Sequence, residues 1–259
     1  MTGSAGVMAL VLAETVAGSL VLLWCSPLWG EVKRGYFTLT GILCSILAFA
    51  AWRAAVAGAV PGDAAGSWSV RLTLATMLVT LAWTALQLAK LNPPARIVGV
   101  LSVPVGLATL GVMAATGRQA YPLALFELLA GAAFLGSVLT GLLLGHWYLT
   151  DRGLSRTPIN RATAIMLVAV GVEAVAVIAG GFGAVGSSEA FNPLLTAGAL
   201  APWIAIGMVG TTALIAVMVK ATLRGTRASA VQSATGFFYL AVVTAFTAEV
   251  AVKVRFLPG

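Results

Sequence analysis

Apolar residues run almost unbroken along this chain in stretches of about twenty, each closed by a short cluster of prolines, glycines or charges. A spanning helix needs roughly 20 apolar residues. That rule divides the sequence into eight, over residues 5–28, 36–58, 69–90, 96–116, 122–150, 162–185, 193–221 and 229–252. The punctuation agrees. Pro27 with Trp24 and Trp29 closes the first span, Pro61-Gly62 the second, and Lys90 with Asn92-Pro93-Pro94 the third. Pro104 predicts a bend in the fourth, and Pro202-Trp203 a kink or re-entrant start in the seventh. The sixth leaves through glycines into residues 187–195, SSEAFNPLL. No connection is long enough to fold as a soluble domain. The expected fold is an all-α integral membrane protein, a single polytopic domain over 1–259.

Composition supports this and sets its limits. With 60% hydrophobic and 9% charged residues and a mean hydropathy of +1.01, the chain lies far outside the globular range. A net charge of +7 raises nucleic acid as a partner, but the 15 Lys and Arg are scattered among helix ends and form no basic stripe. Topology explains them better. Alternate connections hold Lys33, Arg34, Lys90, Arg96, Arg152, Arg156, Arg161, Lys220, Arg224 and Arg227 on one side, against Arg71, Arg118, Lys253 and Arg255 on the other. The positive-inside rule then puts both termini on the extracytoplasmic side of what is expected to be a bacterial cytoplasmic membrane. The first span lacks a basic n-region and a small-residue cleavage site, so it is expected to be a retained helix. Cys25 and Cys44 form no metal or redox motif and are read as packing residues.

A short internal echo divides the bundle. Glu14-Thr-Val-Ala-Gly18 in the first span matches Glu127-Leu-Leu-Ala-Gly131 in the fifth, which predicts two four-helix halves, 1–117 and 118–259, in the same orientation. Small residues at helical spacing, such as Gly131, Ala132, Ser137 and Gly141, predict close helix packing.

Ionisable groups in lipid cost at least ~2.5 kcal/mol each on insertion scales, so those inside spans face the bundle interior and are the default functional candidates. They are Glu14, Arg53, Glu127, Glu173 and Glu249, all in the middle or outer half under this topology. Arg53 is the expected partner of Glu14 or Glu173 in a polar, proton-exchanging pocket; the plainer reading is one buried salt bridge that fixes packing. A second candidate lies at the inner end of the fifth span, where His146, Trp147 and Tyr148 meet the interface and Gln232 opens a polar stripe on the eighth. An imidazole, a phenol and an indole there would suit a quinone headgroup, menaquinone or ubiquinone; the plainer reading is an aromatic belt. Glu127 and His146 stand roughly 28 Å apart along one helix and form no catalytic pair.

Absences narrow the chemistry. One histidine supplies no pair of axial haem ligands, so neither haem nor a metal centre is expected. No P-loop, dinucleotide fingerprint, GxSxG or HExxH occurs. Eight compact spans, buried carboxyls, one interfacial histidine and no cofactor ligands resemble the plan of the haem-free quinol-binding membrane subunits of the polysulfide reductase and dimethyl-sulfoxide reductase families. The resemblance is architectural and carries no site residue over. It implies a membrane subunit of an electron-transfer complex that anchors other subunits and serves a quinone, non-catalytic by itself. Two alternatives stand beside it: a proton-coupled secondary transporter with its site at Glu14, Arg53 and Glu173, and a structural or assembly subunit.

Overall fold

The computed structural model describes residues 1–25, 32–151, 153–181, 200–225 and 229–257. Among them stand eight helices and no strand: α1 (Gly3–Cys25), α2 (Arg34–Gly58), α3 (Ala64–Leu88), α4 (Asn92–Ala114), α5 (Tyr121–Thr150), α6 (Thr157–Ala179), α7 (Leu200–Leu223) and α8 (Ser229–Phe256). All eight are long and apolar enough to cross a membrane. A helix satisfies its own backbone hydrogen bonds in hydrocarbon, and the chain is a multi-pass integral membrane protein of the lipid bilayer. Pro27, Trp29, Arg152, Arg227, the connection 187–195 and the expected ends at 182–185 and 193–199 lie outside the described residues.

Helix ends differ from the hydropathy reading where capping chemistry outweighs hydropathy. The third helix starts at Ala64, five residues early, because Gly62 turns the chain at positive φ and Asp63 takes the N-cap position. Pro93 and Pro94 close nothing by themselves; they open α4, where a first turn needs no N–H. Pro158 does the same for α6, which stops at Ala179 before Gly180 and Gly181. The α4 helix runs through Pro104 without a break, and Pro202 falls in the first described turn of α7. The consequential difference is at the C-terminus. There α8 continues past residue 252 to Phe256, so Lys253 and Arg255 belong to a buried helix and not to a tail.

The helices form two rings of four. Within the first, α1 packs on α2 and α4, α2 on α3, and α3 on α4; the second repeats this with α5, α6, α7 and α8. The rings join mainly along α1 and α5. Of the residues in their apolar windows, 78% and 83% are buried, against 33% to 44% for the other six helices, which makes this pair the core. Their backbones touch. A methyl group at Gly18 would overlap the Ala132 carbonyl oxygen, and one at Gly136 would overlap the backbone at Gly18. Lipid gives helices no hydrophobic drive to associate, so such close approach, with hydroxyl pairs such as Ser45 to Thr84 at 3.0 Å and Thr76 to Thr109 at 2.8 Å, holds the bundle.

Contacts between loops sort the connections onto two faces. The Met1 ammonium lies 3.0 Å from Asp63 Oδ2, and the Arg118 amide donates to the Phe256 carbonyl at 2.9 Å. These mark the amino-terminal face. On the opposite, basic face Lys33 pairs with Asp151 at 2.7 Å, and Arg156 donates to the Gly225 carbonyl.

Candidate functional site: a buried carboxylate and lysine cluster

Four charged side chains from three helices meet where the two rings join. Lys253 Nζ lies 2.8 Å from Glu14 Oε1 and 3.0 Å from Glu249 Oε2, with all three side chains fully buried. Glu249 and Lys253 share a face of α8 by i,i+4 spacing. Glu14 reaches them from α1, where it stands eleven residues from either end. Glu173 of α6, also buried, faces Glu249 and Lys253 from the third side. The ion-pair distances are short but the angles are not those of hydrogen bonds. Lys253 Nζ, both carboxyl oxygens of Glu14 and of Glu249, and Glu173 Oε2 have no aligned partner. The ammonium fills the centre that a bound cation would need.

A glycine makes the room. A Cβ at Gly131 of α5 would sit 2.7 Å from Glu14 Oε1 and 2.9 Å from Glu249 Oε1. The final residue of the echoed five-residue motif therefore borders the carboxyls.

A second layer separates this cluster from the amino-terminal face. Gln119 Nε2 donates to Glu127 Oε1 at 3.1 Å, and Arg255 Nη2 donates to the Gly180 carbonyl at 2.7 Å. Glu127 and Arg255 attract one another across Gly180, whose missing side chain would otherwise collide with Glu127. Six charged groups thus form a file, from Glu127 and Arg255 near the face to Glu14 at mid-helix.

The expected pairing of Arg53 does not form. Its guanidinium is exposed and lies 5.7 Å from the centre of the Trp52 ring, on the outer surface of α2. The cation that meets the acids is Lys253. Hydropathy windows end at a lysine, which hid it; the spacing Glu249-x-x-x-Lys253 was the available signal.

The interfacial candidates do not converge. Successive residues on a helix point about 100° apart. Accordingly His146 is exposed, the Trp147 ring covers Gly35, and Tyr148 is buried with its hydroxyl donating to the Ser155 carbonyl. Gln232 is exposed on α8. The polar residue nearby that turns inward is Thr235, packed against Gly145.

Comparison of the chain with protein-family models, with curated proteins and with solved structures returns no match.

Proposed function

We propose that the protein is a proton-coupled secondary transporter whose exchange site is the cluster of Glu14, Glu173, Glu249 and Lys253. The observation that carries this reading is one buried ammonium facing three carboxyls at the seam between two four-helix rings. Three carboxylates against one ammonium leave two net negative charges among fully buried side chains, at several kcal/mol per ion. Two protons shared among the carboxyls remove that charge, and two carboxyls in contact hydrogen-bond only when a proton lies between them. The cluster is thus a proton store.

Its position couples that store to motion. Glu14 belongs to the first ring and the other three groups to the second, so any tilt of one ring against the other stretches the Lys253 to Glu14 ion pair. A midplane site at a repeat interface, opened by rocking, is how many carriers alternate access. Glu127, Gln119 and Arg255 supply the relay to the amino-terminal face. Under the positive-inside rule this face is the outer one, and the membrane a bacterial cytoplasmic membrane.

Purified protein in liposomes loaded with a pH-sensitive dye tests the reading, with cationic, neutral and anionic solutes offered in turn. The expected result is a solute-driven pH change that Glu173→Gln and Glu249→Gln abolish without lowering membrane yield. Flux undiminished in both variants, or no solute-driven pH change in the wild type, overturns it.

A second reading is that of a membrane subunit of an electron-transfer complex, serving a quinone and anchoring other subunits. It draws on an apolar cavity of about 150 Å³ lined by residues including Leu12, Thr15, Leu135, Val242 and Phe246. Thr15 follows Glu14 and Phe246 lies one turn from Glu249, but no carboxyl lines the cavity itself, so a quinol ring seated there would lie beside the cluster, within one helix turn of it. Co-purification with redox proteins, and quinone turnover lost in Glu249→Gln, would favour it over the carrier. A structural subunit would show altered yield alone.

A further inference from the structure

On the basic face, far from the carboxyl cluster, the ends of α1, α2, α3 and α4 surround a cavity of about 420 Å³ lined by Trp24, Arg34, Phe37, Gln87, Asn92 and Arg96. Its base is aromatic. The Trp24 ring rests on Gly99, with Phe37 at 5.7 Å and Trp83 at 5.6 Å between ring centres. Its rim is cationic, and among the described residues no carboxylate lines it or pairs with Arg34 or Arg96. Two polar groups are left without partners: the buried Trp24 Nε1, and Oε1 of Gln87, a side chain only 8% exposed. An unpaired buried polar group costs about 1–3 kcal/mol; a phosphate oxygen can accept from the Trp24 Nε1–H, whereas Gln87 Oε1 is itself an acceptor and needs a donor such as a glycerol headgroup hydroxyl.

The cavity continues into the bilayer. A groove of about 400 Å³ shares Arg34 and Gln87 with it and runs between α2 and α3 past Gly35, Thr38 and Leu39 to Ile42 and Leu88. From Arg34 to Ile42 is about 12 Å of helix. Leu88 and Ile42 are 58% and 41% exposed, so its lower wall is apolar and faces lipid.

We propose that this is a binding site for one anionic phospholipid, its phosphate held by Arg34, Arg96 and the Trp24 indole, and an acyl chain laid along the α2–α3 groove. Guanidinium forks match phosphate oxygens in pairs. The first turn of α2, whose N-cap Lys33 offers no side-chain acceptor, adds its positive end. A zwitterionic lipid fits less well, since no described carboxylate stands ready for its ammonium. A neutral quinone leaves the two guanidiniums without a counter-charge. Free phosphate would use the rim but not the groove.

Native mass spectrometry of the full chain, exchanged into equimolar phosphatidylglycerol and phosphatidylcholine, tests this. The expected spectrum shows one phosphatidylglycerol retained per chain, favoured over phosphatidylcholine by about tenfold, because both lipids offer the phosphate but only choline sets a second cation against the Arg34 and Arg96 rim. Arg96→Gln, at an exposed side chain that leaves the fold intact, removes most of that preference. Arg34→Gln removes the rest, and Arg118→Gln on the opposite face changes nothing. Added inorganic phosphate does not displace the lipid. Equal retention of both lipids, unchanged preference in Arg96→Gln, or displacement by phosphate alone would overturn the proposal.

Discussion

Lys253 has no exposed surface and two carboxylates within 3.0 Å, so its charge is balanced only by protein groups. Removing one member of a buried ion pair leaves the others uncompensated, at about 3–5 kcal/mol. Lys253→Met is expected to lower the stability of the detergent-solubilised protein by that order in chemical unfolding. The same substitution in a Glu14→Gln, Glu173→Gln, Glu249→Gln background should cost much less, because neutral amides need no counter-charge. An equal loss in both backgrounds would mean that Lys253 acts through packing, for instance on the Phe256 ring 5.8 Å away. Arg53 gives the contrasting case. It has the same formal charge within a span, yet an exposed guanidinium against Trp52 is cheap to change.

At the scale of one helix, the turn into α3 shows how a cap responds to acid. The Gly66 amide, and after it the Met1 ammonium, holds the Asp63 carboxyl below the usual carboxylate range. A depressed value means that the ionised form stabilises the fold. That contribution is complete above the unfolded value of about 3.9 and is lost as pH falls through the lower folded value. Melting curves should therefore be flat at this site down to mild acid and should fall below it. Asp63→Asn keeps a capping side chain but loses the ion pair with the Met1 ammonium, and is expected to remove about 0.2–1 kcal/mol at neutral pH and to flatten the acid limb, since the site is partly solvated. An acid limb of unchanged slope would show that Asp63 is not its source.

At the scale of the whole molecule, the seam between α1 and α5 decides whether two rings act as one protein. The contact at Gly18, Ala132 and Gly136 is backbone on backbone, so a larger residue can be accommodated only by separating the helices. Co-expressed fragments 1–117 and 118–259 should co-purify through this seam and the Glu14 to Lys253 pair. Gly18→Leu should abolish the association. Recovery of both fragments together from Gly18→Leu would place the holding contacts elsewhere, on α8 against α1 or α4 against α5.

Eight spans, their order and the repeated Glu-x-x-Ala-Gly motif can be read from the chain alone, because burying a helix backbone in lipid demands about twenty apolar residues and leaves that demand written in the hydropathy. Four of the five intramembrane charges, Glu14, Glu127, Glu173 and Glu249, could likewise be identified as inward-facing, since lipid penalises any other arrangement. What the chain left open was which helices are neighbours. Periodicity assigns Lys253 and Arg53 to faces of their own helices, but not the helix each face meets. The fold turns Lys253 onto Glu14, 239 positions away in sequence, and Arg53 out onto Trp52. It also spreads His146, Trp147 and Tyr148 around α5. Contact across a bundle depends on packing angle and close approach, set here by Gly18, Gly131 and Gly136, and no local pattern encodes those partners.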